Sequence, residues 1–211
     1  MKVLRLTFLL VALDQATKLF IKGFTIFGWH MQGLTMYESH EVLGNFLRIT
    51  YIENPGMAFG VDFGDTTKIF FSLFSLVASG AIFAYLYSVR NSSLMLRTSL
   101  ALILAGAFGN FIDRAFYGIL YGTAPFLHGS VVDFIDVDFF KINFLHFHLS
   151  RWPVFNVADA CVSVGVVLLV VTFQFSQPKD AIQQPNSENS LPPDHTIPGE
   201  DHLLTDPPNA S

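Results

Sequence analysis

Residues 69–89 read IFFSLFSLVASGAIFAYLYSV, a run that contains no charged side chain. About 20 consecutive apolar residues are enough for a helix to cross the hydrocarbon core of a bilayer. The composition of the whole chain agrees, since 51% of its 211 residues are hydrophobic and 14% are charged, whereas about a quarter are charged in a soluble domain. The stretch therefore predicts a membrane protein and argues against a free cytosolic globule.

Three further apolar stretches extend this interpretation to an all-α membrane protein with four transmembrane helices. The helices are expected at about 3–24, 69–89, 94–112 and 154–176. The first is the weakest, because Asp14, Gln15 and Lys18 interrupt it. A cleaved signal peptide is the alternative for this stretch, but its uncharged core is short and Asp14 stands where a small-residue cleavage site belongs. The sequence therefore favours a retained helix with a polar face.

Basic residues in short segments set the predicted orientation, because such residues concentrate on the cytoplasmic side of a membrane. They precede the first helix and flank the connection between the second and third; they are Lys2, Arg5, Arg90 and Arg97. Both termini are then cytoplasmic, and 25–68 and 113–153 lie on the outer side. Within the first outer segment, 46–53 (FLRITYIE) is rich in strand-forming residues, which predicts a small extracytoplasmic β-rich cradle at the membrane surface.

The formal net charge of −5 lies in the C-terminal segment 177–211, and residues 1–176 are neutral. This segment also contains seven of the ten prolines, and such a composition cannot bury a core. We therefore predict a membrane domain over 1–176 and a disordered acidic cytoplasmic tail over 177–211. The sequence has no basic patch that suggests a nucleic-acid partner, and its single cysteine, Cys161, excludes an intrachain disulfide framework.

Ionisable and amide side chains gather at the outer ends of the predicted helices, where such groups are costly and usually functional. Asp14 and Lys18 have the i,i+4 spacing of a helix ion pair, and Asn156 and Asp159 share one face of the fourth helix. The third helix end and the second outer segment add Asn110, Asp113, Arg114 and Asp133. The predicted topology brings all of them to one leaflet, which favours a water-accessible polar pocket. Helix-end polar residues with a purely structural role are the alternative.

Paired carboxylates are the chemistry that this set of residues supports best. Two close carboxyl groups share one proton, so that one activates a water molecule and the other protonates a scissile carbonyl. The residues alone do not single out two of the four aspartates for this role. His146 and His148 lack a nearby third ligand for a metal, and the carboxylate scheme needs no cofactor. A small ion channel or transporter is the runner-up; a binding protein for lipidated peptides and a lipid phosphatase or transferase are weaker alternatives.

Five blocks of the sequence resemble lipoprotein signal peptidase, also called signal peptidase II. They occur in the family's order: DQATK at 14–18, NPGMAFG at 54–60, GAFGNFIDR at 106–114, VVDFID at 131–136 and FNVAD at 155–159. The resemblance implies a four-helix aspartic endopeptidase of the bacterial cytoplasmic (inner) membrane, with its active site at the outer leaflet. Its expected substrates are diacylglyceryl-modified prolipoproteins, which it would cut just before the lipidated cysteine.

The same resemblance implies roles for individual residues. The catalytic pair falls on Asp133 and Asp159. Positions that line the substrate pocket match Asn54, Asn110, Arg114 and Asn156, and positions that support the pocket match Asp14, Lys18 and Asp113. The resemblance implies no cofactor and no metal. Membrane lipids are the other expected partners, and we expect a monomer.

One departure from the family's pattern is the longer spacing between Asp113 and Asp133. The extra residues fall within Ala115–Ser130 (AFYGILYGTAPFLHGS), a segment rich in aromatic residues and glycine. One hypothesis is a mobile apolar cover over the pocket, with Gly118, Gly122 and Gly129 as hinges. The alternative is a tolerated surface insertion.

Overall fold

In a computed structural model of the chain, the described residues are 1–26, 28–56, 65–138, 142–144, 147–149 and 151–176. Their helices are α1 (Val3–Lys22), α2 (Asp65–Ser88), α3 (Leu94–Ile112), the short α4 (Gly118–Leu120) and α5 (Val157–Ser176). Three helical stretches in the described part of the chain, Asp65–Ser88, Leu94–Leu120 and Val157–Phe175, are long and apolar enough to cross a membrane. The predicted tail, 177–211, lies outside the described residues.

α3 is the centre of the helix packing, because α1, α2 and α5 all pack against it. Two of its glycines allow this close approach. A Cβ atom at Gly106 would lie 2.2 Å from the carbonyl oxygen of Ala158 in α5, and one at Gly109 would lie 2.7 Å from Oδ2 of Asp14 in α1. Both distances are well inside van der Waals contact, so the first turn of α5 and the outer part of α1 reach α3 only where it lacks a side chain.

Small antiparallel sheets accompany the helices. β1 (Gly23–Ile26) and β2 (Trp29–Gln32) form a hairpin, β3 (Ser39–Leu43), β4 (Leu47–Asn54) and β5 (Val131–Val137) form a sheet in that order, and β6 (Ile142–Phe144) pairs with β7 (Phe147–Leu149). The strand predicted at 46–53 is confirmed as β4. Ile52 pairs with Asp133 and Asn54 pairs with Val131, so the end of β4 lies beside the aspartate of β5.

The helix ends differ from the predicted ones by a few residues, for local reasons. α1 ends at Lys22 rather than 24, because Gly23 has a φ of 75° and begins β1. α2 begins at Asp65 rather than 69, because its first turn (DTTK) is polar and lies outside the apolar run. α5 begins at Val157 rather than 154, because the backbone of Phe155 is hydrogen-bonded to Ile135 of β5 instead.

The third helix ends at Ile112 as predicted, but the chain continues in helical form. A π-helical turn, Asp113–Tyr117, leads into α4. Such a turn widens the helix and leaves carbonyl groups without their usual i+4 partners. The returning chain supplies partners, since Gly129 N–H donates to the Arg114 carbonyl at 2.9 Å and Leu127 N–H donates to that of Ala115 at 3.2 Å. The segment between α3 and β5 is therefore tied to the helix that it leaves.

Candidate active site

A buried lysine lies at the outer end of α1, between two buried carboxylates. Lys18 Nζ lies 2.9 Å from Asp14 Oδ2 and 2.9 Å from Asp113 Oδ2, and it donates to Asn110 Oδ1 at 2.9 Å. The side chains of this lysine cluster (Lys18, Asp14 and Asp113) are at most 1% exposed. The predicted i,i+4 ion pair is confirmed. Because an ammonium group has three N–H donors, three acceptors use its full capacity.

Gln15 bridges the two carboxylates of the lysine cluster. Its Nε2 donates to Asp113 Oδ1 at 2.8 Å and to Asp14 Oδ2 at 3.1 Å, and its Oε1 accepts from the hydroxyl of Tyr117 at 3.2 Å. Donors placed between two like charges reduce their repulsion. Our sequence reasoning did not assign Gln15 or Tyr117 to the site. The i,i+3 spacing of Gln15 from Lys18 was an available signal, whereas nothing in the local sequence points to Tyr117.

Each carboxylate of the lysine cluster also fixes a backbone position next to an aspartate implied as catalytic. Asp14 Oδ1 accepts the N–H of Ala158 at 2.9 Å, and Ala158 directly precedes Asp159. Asp113 Oδ2 accepts the N–H of Val132 at 3.1 Å, and Val132 directly precedes the second such aspartate. The cluster thereby links α1 and α3 to both chain segments that carry the candidate pair.

Two asparagine amides join the candidate pair. Asn110 Nδ2 donates to Asp159 Oδ1 at 2.7 Å, and Asn156 Nδ2 donates to Asp133 Oδ1 at 2.7 Å. Asn156 Nδ2 also lies 3.2 Å from Asn110 Oδ1. The four side chains therefore form one continuous hydrogen-bonded group, in which each aspartate accepts an amide N–H from one of these two asparagines.

The start of α5 holds Asp159 by a capping box. Asn156 Oδ1 accepts the N–H of Asp159 at 2.9 Å, and the N–H of Asn156 donates to Asp159 Oδ2 at 3.2 Å. This reciprocal pair is the usual way to satisfy the free N–H groups at a helix start. Asp159 consequently lies in the first turn of α5, where the helix dipole favours a negative charge.

Asp133 is in a different environment, on the buried strand β5. Its side chain is 3% exposed and is hydrogen-bonded to Asn156 and Asn54. Burial, together with the negative charge of Asp159, raises the pKa of Asp133 to about 7, although both asparagines and Lys18 act in the opposite direction. The protonated and ionised forms of Asp133 are therefore close in free energy at neutral pH.

Arg114 lies near the candidate pair, and its contacts within the described residues are long. Its Nη1 makes two long contacts of 3.4 Å, to Ser75 Oγ and to the Asn110 carbonyl, and its guanidinium carbon lies 5.9 Å from the ring centre of Phe71. Its Nε is buried and has no hydrogen-bond partner within the described residues. A guanidinium group in this state has donors available for an incoming molecule with carbonyl or carboxylate oxygens.

The segment Ala115–Ser130 is anchored at several points. Tyr117 is 3% exposed, the hydroxyl of Tyr121 donates to the Gly23 carbonyl at 2.7 Å, and the Leu127 carbonyl accepts from Ser72 Oγ at 2.7 Å. A Cβ atom at Gly129 would lie 2.3 Å from the Asp113 carbonyl oxygen. This glycine is closely packed, and its use as a hinge stays a prediction. The role of the segment in substrate access stays a prediction.

The nine residues predicted for the site occupy one connected region. They come from α1 (Asp14, Lys18), β4 (Asn54), α3 and its π-helical turn (Asn110, Asp113, Arg114), β5 (Asp133) and the start of α5 (Asn156, Asp159). His146 and the side chain of His148, which were weighed as metal ligands, lie outside the described residues. The arrangement links a carboxyl group of raised pKa, that of Asp133, through Asn156 to a second carboxyl group, which is a suitable environment for acid–base chemistry on a water molecule.

Comparisons with known proteins agree with this arrangement. The family model of signal peptidase (SPase) II matches residues 6–175. The chain is 39% identical over 166 residues to the lipoprotein signal peptidase of Syntrophus aciditrophicus, covering 77% of this chain and 86% of that protein. It is 33% identical over 198 residues to the lipoprotein signal peptidase of Porphyromonas gingivalis, covering 78% and 79%.

Solved structures give the same result for the fold. A bacterial membrane enzyme determined at 2.3 Å is 26% identical with a TM-score of 0.61, covering 87% of this chain and 94% of that chain. A second, determined at 1.9 Å, is 29% identical with a TM-score of 0.61, covering 83% and 94%. The ion-channel alternative finds no support in these relatives. The chain belongs to the signal peptidase II family.

Proposed function

We propose that this protein is a membrane aspartic endopeptidase that removes the signal peptide from diacylglyceryl-modified prolipoproteins, cutting just before the lipidated cysteine. The observation that carries the proposal is the coupling of Asp133 and Asp159 through Asn156, which donates an N–H to each of them. The relatives named above are lipoprotein signal peptidases, which supplies the substrate class. The reaction uses the two carboxyl groups and a water molecule, with no cofactor or metal.

The environments of the two aspartates support a division of roles between them. Asp159 accepts two N–H groups at the start of α5 and acts as the base. Asp133, whose pKa burial raises to about 7, holds the proton and acts as the acid. Two carboxyl groups whose environments differ in this way divide acid and base roles between them.

The proton transfers then balance over two steps. In the first step, the water molecule attacks the scissile carbonyl carbon. Asp159 takes a proton from this water molecule, and Asp133 gives its proton to the carbonyl oxygen. When the C–N bond of the resulting diol breaks, Asp159 gives its proton to the leaving nitrogen and Asp133 takes one back from a hydroxyl group. The pair returns to its starting protonation state, so no other proton donor is needed.

Arg114 and Asn54 are suited to hold the peptide beside the pair. The guanidinium Nε has no hydrogen-bond partner among the described residues, and Asn54 lies at the end of β4, hydrogen-bonded to Asp133. Asn110 and Asn156 complete the pocket and keep both carboxyl groups in place. Asp14, Lys18 and Asp113 support the pocket from behind.

The same proposal includes the placement of the protein in the membrane. α1, α2, α3 and α5 cross the bacterial cytoplasmic (inner) membrane, and both termini, including the acidic tail 177–211, are cytoplasmic. Arg97, near the start of α3, donates to the carbonyl of Arg90 at 3.0 Å, whereas Asn110 and Arg114 lie at the opposite end of that helix. This supports an active site at the outer leaflet, reached from the lipid by a lipidated peptide. The enzyme acts as a monomer among membrane lipids.

Purified protein incubated with lipidated and with unlipidated prolipoprotein tests the proposal. We expect cleavage of the lipidated form only, with the lipidated cysteine as the new N-terminus by mass spectrometry. Asp133→Asn and Asp159→Asn are each expected to abolish cleavage, because an amide cannot exchange the proton. Asp136→Asn, on the same strand as Asp133, is the matched control and should retain cleavage. Near-parental turnover in either of the first two variants would remove that aspartate from the mechanism.

A further inference from the structure

Lys18 contacts neither proposed catalytic aspartate, yet a single side chain separates it from Asp159. Its Nζ donates to Asn110 Oδ1 at 2.9 Å, and Asn110 Nδ2 donates to Asp159 Oδ1 at 2.7 Å. An amide carries its acceptor and its donors on opposite sides. The group that binds the oxygen of Asn110 therefore decides where its nitrogen points.

Lys18 is the stronger of two donors to that oxygen. Asn156 Nδ2 also lies within reach of Asn110 Oδ1, but at 3.2 Å, and it makes its shortest contact, 2.7 Å, with Asp133. A charged donor forms a hydrogen bond about twice as strong as a neutral one. Without the ammonium group, the amide is free to turn over and present its oxygen to the carboxylate of Asp159, where two acceptors would face each other.

The rest of the lysine cluster keeps this donor in place. Asp14 and Asp113 each hold the ammonium group at 2.9 Å, and the three side chains are at most 1% exposed. Gln15 ties the two carboxylates together, so neither can rotate away from the lysine without losing a second hydrogen bond. The ammonium group consequently has one available position, and one of its N–H groups points at Asn110.

We infer that Lys18 is a positioning residue for catalysis, which holds the Asn110 amide in the orientation that presents an N–H group to Asp159. Asp14 and Asp113 contribute by holding Lys18. The inference rests on the proposed function, because it takes Asp159 as the catalytic base. Lys18 would then affect the rate of catalysis by orienting the Asn110 amide, in addition to pairing with Asp14 and Asp113.

A double-mutant cycle between Lys18→Met and Asn110→Ala tests the inference on the full-length protein with a lipidated prolipoprotein. Lys18→Met alone should lower kcat about 10- to 100-fold, with little change in KM. Loss of a residue that orients a metal ligand has an effect of this size in metalloenzymes. In the Asn110→Ala background the same change should alter kcat by no more than about twofold, because the amide that Lys18 orients is gone. The fraction of folded enzyme, measured by thermal unfolding, normalises each kcat.

Lys22→Met is the matched control, because it makes the same substitution one turn along α1. Lys22 pairs with Glu53 and contacts the ring of Tyr121. Its effect on kcat should be small and equal in both backgrounds. Lys18→Met leaves the buried carboxylates of Asp14 and Asp113 without a cation. If this variant does not fold, the cycle is repeated with Asp113→Asn present in every variant, which removes one of these two charges.

Two results are read separately. If Lys18→Met lowers kcat equally in the parent and in the Asn110→Ala background, Lys18 acts by another route and the inference is overturned. If Asp159→Asn retains turnover, the proposed role of Asp159 as the base fails instead. The positioning role is supported if Lys18→Met lowers kcat in the parent but has little effect in the Asn110→Ala background. A purely structural role of Lys18 would lower kcat in both backgrounds.

Discussion

Replacing Asp133 with Asn removes a carboxyl group that folding places in an unfavourable environment, so the variant should be more stable than the parent protein at neutral pH. Burial raises the pKa of Asp133 from 3.8 to about 7. Between these values the folded protein binds a proton that the unfolded chain releases, so its free energy of unfolding falls as the pH rises from about 4 to about 7. The Oδ1 of an Asn side chain can still accept the N–H of Asn156.

The size of the effect follows from the shift. One pKa unit corresponds to about 1.4 kcal/mol, so a rise of about three units destabilises the parent by up to about 4 kcal/mol above pH 7. Because the negative charge of Asp159 contributes part of this shift, we expect Asp133→Asn to raise the free energy of unfolding by about 2–4 kcal/mol. This corresponds to a rise in Tm of about 5–15 °C for a chain of this size. Below about pH 4 the difference should vanish.

Thermal unfolding in detergent micelles at about pH 5 and about pH 8 measures this difference. The advantage of Asp133→Asn should grow between the two conditions. Asp136→Asn is the control of opposite sign, since Asp136 is also buried but pairs with Arg151 at 2.8 Å, and the substitution removes the closer of that arginine's two carboxylate partners and lowers the Tm. A variant at position 133 that melts at or below the parent at about pH 8, or a gap that is the same at both pH values, would refute the reasoning.

Three further predictions concern packing, substrate contact and the segment before β5. Gly106→Ala should lower the free energy of unfolding by about 1–3 kcal/mol, because its Cβ meets the Ala158 carbonyl oxygen, whereas Gly80→Ala, with nothing within 4 Å, should cost nothing in the same denaturation assay. Arg114→Lys keeps the charge but not the planar fork of donors, so kcat/KM for lipidated substrate should fall about tenfold or more; a parental value would leave only an electrostatic role. Shortening 115–130 to the family's usual spacing should lower Tm and turnover together, because it removes the hydrogen bonds to the π-helical turn. Loss of turnover at an unchanged Tm would instead favour a mobile cover over the pocket.

The helices were the most predictable part of this fold, because long apolar runs leave little choice of structure. Their ends were less predictable, since each is set by a local contact that hydropathy does not report. The polar first turn of α2, Asp65–Lys68, and the N-cap Asn156 of α5 are examples. The i,i+4 pair of Asp14 and Lys18 was predictable, because both partners lie on one helix.

The choice between the aspartates depended on contacts that the local sequence does not encode. Asp113 and Asp133 are both buried and both follow apolar residues. Lys18, from a helix about a hundred residues earlier, lies directly against Asp113, whereas the direct partners of Asp133 are amides. One aspartate thus belongs to a buried ion pair, whereas the other is held by neutral amides. Only the resemblance to a known family could make that distinction before the fold was available.

The spacing of Asp14 and Lys18 also has a consequence for biosynthesis. The chain is made from its N-terminus, so α1 leaves the ribosome long before Asp113, Asn110 and α5 exist. A lone aspartate or lysine at the centre of a helix opposes its insertion by about 2.5–3.5 kcal/mol, but a pair one turn apart can neutralise itself within the helix. In the proposed topology, α1 thereby already holds a partner for its lysine while it inserts. When α3 arrives, Lys18 keeps that partner and gains Asp113, so the helix need not expose an unpaired charge at any stage of assembly.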